Sequence, residues 1–91
     1  MIWKIFAVRD EAVEAYTTPI AVRSTGEAIR AFQDTVNKPE TPFNNHPADY
    51  SLWFLGNWDD NSGAYDMEAG GPSRTMRAVD AIEQPRLGAS F

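Results

Sequence analysis

The sequence predicts an α+β domain. It reads as a small antiparallel sheet built strand–strand–helix–strand–strand, with a short helix near the C-terminus. Three observations carry this. Ser24-Thr25-Gly26-Glu27 has the spacing of a helix capping box. Behind it, Ala28, Ile29, Phe32 and Val36 recur at the helical period and form one apolar stripe. Residues 2–9 and 50–55 instead place large apolar groups on both faces of extended segments, as strands alternate.

In chain order, residues 2–9 form the first strand, with Ile2, Lys4, Phe6 and Val8 on one face and Trp3, Ile5, Ala7 and Arg9 on the other. Asp10-Glu11 opens a polar connection to a second β-prone run, 16–22. Pro19 lacks the N–H a ladder needs, so this run is an edge or bulged strand pairing with the first as a hairpin. The helix spans 25–37, with Glu27, Arg30, Gln33, Asp34 and Asn37 outside its apolar stripe, and Pro39 stops it. Residues 38–45 hold two prolines and two asparagines and read as an extended loop anchored by Phe43. The third strand, 49–58, sets Tyr50, Leu52 and Phe54 against Ser51, Trp53 and Leu55. The turn Asp59-Asp60-Asn61-Ser62-Gly63 leads to a short fourth strand, 64–68, with Tyr65 and Met67 on one face. Gly70-Gly71-Pro72 breaks the chain, so residues 1–68 form the ββαββ domain and 69–91 a linker and tail. Met76, Val79 and Ile82 recur every third residue and predict a short helix within 73–84.

The totals bound the class. Ninety-one residues suit one domain with one modest core, and 43% hydrophobic content is that of a folded chain. Cysteine is absent, which excludes a disulfide framework, a thiolate zinc site and a thiol nucleophile, and fits a reducing cytoplasm. No apolar run is long enough for a membrane span. The net charge of −5 weighs against a general grip on phosphate backbones. That charge is uneven. Residues 1–68 carry five Lys or Arg against eleven Asp or Glu, while 69–91 carry three against two.

No catalytic constellation stands out. His46 is the single histidine; Asp49 and Ser51 lie nearby in sequence, but nothing marks a triad, and a loop histidine beside Pro47 is the simpler reading. Counted from Asp59, the sixth residue is Ala64 and the twelfth Gly70, so the acidic turn fails the calcium-loop pattern and no metal is expected. Gly70-Gly71-Pro72-Ser73 lacks the lysine and glycine spacing of a phosphate loop. The sequence therefore predicts no enzyme and no cofactor. Trp3, Trp53 and Trp58 are the informative group: three tryptophans can be core, subunit contact or a platform for bases. A nucleic-acid surface would draw on Lys4, Arg9, Arg23, Arg30, Trp53, Trp58, Arg74 and Arg77. The last two are explained equally well as the solvated side of a short helix.

The pattern His46-Pro47-x-Asp49-Tyr50-x-Leu52-x-x-x-Gly56-x-Trp58-Asp59-x-x-x-Gly63 resembles the small non-structural protein of gokushovirus-type microviruses, phages with single-stranded DNA genomes. That family runs from His-Pro-Glu-Asp-Tyr/Phe to a Gly-x-Phe-Asp turn; here Ala48 replaces the acid and Trp58 the phenylalanine. Phe6-Ala7-Val8-Arg9-Asp10 is similar to its opening strand and Ala28-Ile29-Arg30-Ala31-Phe32 to its helix, so the resemblance covers residues 3–66. It implies a non-enzymatic protein of the host cell cytoplasm that binds single-stranded DNA during genome synthesis or packaging. The alternative is an assembly factor that binds a replication, capsid or host protein without touching DNA. A homodimer is expected in either case, because one helix covers only one face of such a sheet.

Overall fold

The computed structural model describes residues 1–82. Its sheet has two long central strands, β1 (Ile2–Asp10) and β4 (Tyr50–Asp59), paired antiparallel along their whole lengths. Each is flanked by two short strands placed end to end. On the β1 side lie β2 (Ala15–Tyr16) and β3 (Ile20–Val22); on the β4 side lie β5 (Tyr65–Met67) and β6 (Ser73–Arg77). The β-prone run 16–22 is thus divided at Thr17–Pro19, where Pro19 has no N–H to offer β1. Short, interrupted edges of this kind leave little template for unwanted pairing.

Helix α1 (Thr25–Val36) begins where the capping box places it: Ser24 Oγ accepts from the Glu27 N–H at 3.1 Å. The reciprocal half differs by one residue. Glu27 Oε1 accepts from the Arg23 N–H at 2.8 Å rather than from that of Ser24. Hydrogen bonds from Arg23, its backbone N–H first and its guanidinium second, hold the Glu27 carboxyl below the usual range. The far end of α1 is closed by asparagines. Asn37 Nδ2 donates to the Gln33 and Ala81 carbonyls, both at 2.8 Å, and Asn44 Nδ2 donates to the Val36 carbonyl at 3.0 Å, satisfying acceptors a helix end leaves open.

The core lies between α1 and the facing side of the sheet. Ala28, Phe32 and Val36 from α1 meet Phe6, Val22 and Leu52, with Phe54 tilted against Phe6 at 5.3 Å between ring centroids. Two segments depart from the sequence expectation. Residues 38–45 are not wholly extended: Thr41 caps a helical turn, α2 (Pro42–Asn45), which sets the Phe43 ring 4.5 Å from that of Tyr50. Ser73–Arg77, expected as helix, is strand β6, and only Ala78–Ala81 is helical (α3); residues 83 and 84 of that expected helix lie outside the described residues. Every-third-residue spacing misleads here because Met76 faces the core from a strand, whereas Ala78 and Ala81 reach it from the turn that follows. The segment expected as linker and tail therefore supplies a strand and part of the core.

Two bulges shape the sheet. Ile5 pairs with Gly56 and Phe6 with Phe54, so Leu55 is an extra residue in β4. Leu52 pairs with Met76 and Trp53 with Arg74, so Thr75 is an extra residue in β6. At the first bulge Gly56 has φ +152°, and a Cβ there would sit 2.6 Å from both the Asp66 carbonyl oxygen and the Met67 Cα. Only glycine fits.

Candidate nucleic-acid interface

The helices cover one face of the sheet. Paired residues in an antiparallel ladder share a face, so the register identifies what the other face presents. Four rows cross it. At one end Tyr16, Arg9, Ser51 and Arg77 lie side by side, followed by Ala7, Trp53 and Arg74. Beyond the Leu55 bulge come Ala21, Ile5, Gly56 and Met67, then Trp3, Trp58 and Tyr65. The first two rows form a basic half and the last two an apolar half.

In the basic half, Trp53 is half-buried against the Tyr16 ring, which meets it edge-on at 6.1 Å. The Trp53 indole is fixed in place, because Nε1 donates to Ser51 Oγ at 2.8 Å. Arg9 lies over the other ring, its guanidinium carbon 5.2 Å from the Tyr16 centroid, and is ion-paired with Glu11. Arg77 Nε donates to Asp80 Oδ2 at 3.2 Å. Arg74 is exposed and, among the described residues, has no ion pair. Trp53, Ser51, Arg74 and Arg77 line an open groove of about 310 Å³ together with Glu11 and Asp49.

The Thr75 bulge brings this group together. On a regular strand, residues three apart face opposite ways. With one extra residue between them, Arg74 and Arg77 both emerge on the face that no described helix covers, beside Trp53 and Ser51. They sit at and before the end of a strand, not on the solvated side of a helix.

The other sequence-predicted residues lie elsewhere. Trp58 is on the same face but in the apolar half, packed near Tyr65 at 6.3 Å, with Nε1 donating to the Gly63 carbonyl at 3.3 Å. Trp3, its cross-strand partner, donates from Nε1 to Asp60 Oδ2 at 2.9 Å. Lys4 belongs to the helix-side face, with Nζ 5.3 Å from the Phe54 ring centroid. Arg23 pairs with Glu27 at the start of α1, and Arg30 is exposed on that helix. Arg9, Trp53, Arg74 and Arg77 are thus brought together; Lys4, Arg23, Arg30 and Trp58 are not among them. Tyr16 and Ser51 were missed. Alternation already sets Ser51 on the Trp53 face without marking it as part of the site, and nothing in the sequence aligns Tyr16 with Arg9.

The apolar half holds a groove of about 480 Å³ lined by Ile5, Ala21, Leu55, Trp58, Tyr65 and Met67, with Pro19 and Ile20 at its edge. Tyr65 and Met67 stand 65% and 54% exposed, much for apolar groups on a sheet face. Elsewhere, His46 is exposed at the start of a 3-10 turn, Pro47–Asp49, and the Ser51 hydroxyl accepts from Trp53. Among the described residues no acidic or histidine cluster is arranged to hold a metal, and no helix is long and apolar enough to cross a membrane.

No curated protein and no solved structure matches the chain. Residues 3–81 match the family described as Phage ORF5 protein, a span running from Trp3 on the open face to Ala81 in the core, and the chain belongs to that family.

Proposed function

We propose that this phage accessory protein comes from a microvirus of the gokushovirus type and binds single-stranded DNA, without catalysis, during genome synthesis or packaging in the host cell cytoplasm. The contact surface is the basic half of the open face. Trp53 is the stacking platform, Tyr16 buttresses it, and Arg74 meets phosphate with Arg77 next to it on β6 and Arg9 across the face on β1. One observation carries the reading: the Thr75 bulge sets two arginines beside a half-buried, hydrogen-bonded tryptophan on the sheet face that the described helices leave open. An aromatic platform with adjacent cations suits unpaired strands, since every base has a π-face and every nucleotide a phosphate. The net charge of −5 makes the expected affinity weak and strongly salt-dependent. The test is a titration of a labelled single-stranded oligonucleotide at low and at physiological salt. Binding that quenches tryptophan fluorescence and weakens with salt is the expected result; absence of binding at both salts contradicts it.

The apolar half favours a second reading, an assembly factor that pairs with another copy of the chain or with a replication, capsid or host protein. Tyr65 and Met67 expose too much apolar surface to serve a DNA backbone. Sedimentation at micromolar concentration is expected to give a dimer that Met67→Asp disperses. A monomer unaffected by that change speaks against self-association.

A further inference from the structure

We infer that Glu11 and Asp80 screen the proposed single-strand site, each carboxylate occupying an arginine that a phosphate would otherwise engage. This rests on the reading of the basic half as that site. Of its three arginines, Arg9 is bound to Glu11 and Arg77 to Asp80, leaving Arg74 as the one without an ion pair among the described residues. The Arg77–Asp80 contact is two-pronged: Nε donates to Oδ2 at 3.2 Å and Nη2 to Oδ1 at 3.4 Å. A guanidinium offers the same fork to a phosphate. Both carboxylates are local to their arginines in sequence, two and three residues away, so the pairing needs no other element to hold it. Their side chains are 55% and 56% exposed, so water and salt weaken both pairs, and a phosphate displaces them at small cost. The screen lowers affinity without blocking the site. A lone nucleotide competes poorly with the resident carboxylates, whereas a strand presenting consecutive phosphates at high local density displaces both.

The test compares Glu11→Gln with Asp80→Asn, singly and together, against Asp66→Asn. Asp66 sits on β5 and makes no ion pair among the described residues, so its variant changes the net charge equally without releasing an arginine. Binding of a fluorescein-labelled oligothymidylate is measured near 150 mM salt, where long-range charge is largely screened. Each of the two changes is expected to tighten binding by roughly twofold to fivefold, as the loss of one exposed pair allows. The double variant combines both gains, while Asp66→Asn stays near wild type. Circular dichroism checks that the exposed substitutions leave the fold intact. If wild type binds through Trp53 but the double variant is no tighter than Asp66→Asn, the screening is wrong and the site stands. If no variant binds the oligonucleotide at this salt or at low salt, site and screening both fail.

Discussion

The two halves of the open face are built from the same two strands and each contains tryptophan, yet they present opposite chemistries. Trp53 and Trp58 sit five residues apart on β4, roughly 15 Å at strand spacing. Around Trp53 the neighbours are Arg74, Arg77, Ser51 and Tyr16; around Trp58 they are Trp3, Tyr65 and Met67. The Leu55 bulge separates them, and the flanking strand changes at the same point from β6 to β5. A bulge therefore does more than bend the sheet: it lets one surface carry a basic end and an apolar end. Gly56 is the residue that makes this possible.

The two largest effects should come from the sheet itself, one of them from removing that boundary. Gly56→Ala forces a Cβ to within 2.6 Å of backbone in β5, at a φ that side chains avoid, and should cost about 3 kcal/mol. Small domains have roughly 5–15 kcal/mol in total, so thermal melting will show a large fall. Retained stability would mean that β5 moves freely away from β4. Phe6→Ala tests the shared foundation instead. Emptying this fully buried ring site should cost about 3–5 kcal/mol and degrade both halves together in urea unfolding.

Trp53→Ala then separates the halves. It should weaken single-strand binding by roughly 1–3 kcal/mol, while Trp58→Ala leaves it within about twofold. Equal losses from both would dissolve the distinction. Arg74→Ala should flatten the slope of log affinity against log salt by about 0.7, the value of one phosphate contact to a single strand. Arg30→Ala, on the helix away from this face, should leave the slope unchanged. The smallest effect concerns Glu27, whose carboxyl the Arg23 hydrogen bonds hold below its ordinary value of 4.5. Because the folded-state value is depressed, this contribution is present above the unfolded value and lost as pH falls through the folded one. An NMR titration should place Glu27 below 4.5; a value at or above it would show that the Arg23 contacts do not persist in solution.

Much of this fold was legible because its signals are local. Ser24 to Glu27 announce α1, the alternation from Tyr50 to Phe54 announces β4, and Pro19 announces the break between β2 and β3. The residues of the His46-to-Gly63 pattern turn out to shape backbone. Pro47 starts the 3-10 turn into β4, Gly56 permits the bulge, Asp59 Oδ1 accepts from the Asn61 N–H at 2.9 Å, and Gly63 turns at φ +77°. The site was less legible because it depends on partners. A bulge exists only relative to a neighbouring strand, so nothing in residues 73–77 alone reveals that Arg74 and Arg77 share a face. Likewise, Lys4 lies close to Trp3 in sequence yet belongs to the opposite face, and Arg23 is already engaged by the displaced half of the capping box.

The three indoles offer the most direct measurement. Each N–H has a different acceptor, Ser51 Oγ for Trp53, Asp60 for Trp3 and the Gly63 carbonyl for Trp58, so each should give a distinct NMR signal. With a single-stranded oligonucleotide added at low salt, the Trp53 indole and the amides of Ser51, Arg74 and Arg77 should shift, while the Trp3 and Trp58 indoles stay in place. Shifts confined to Trp58, Tyr65 and Met67, or no shifts at all, would contradict the assignment of single-strand binding to the basic half.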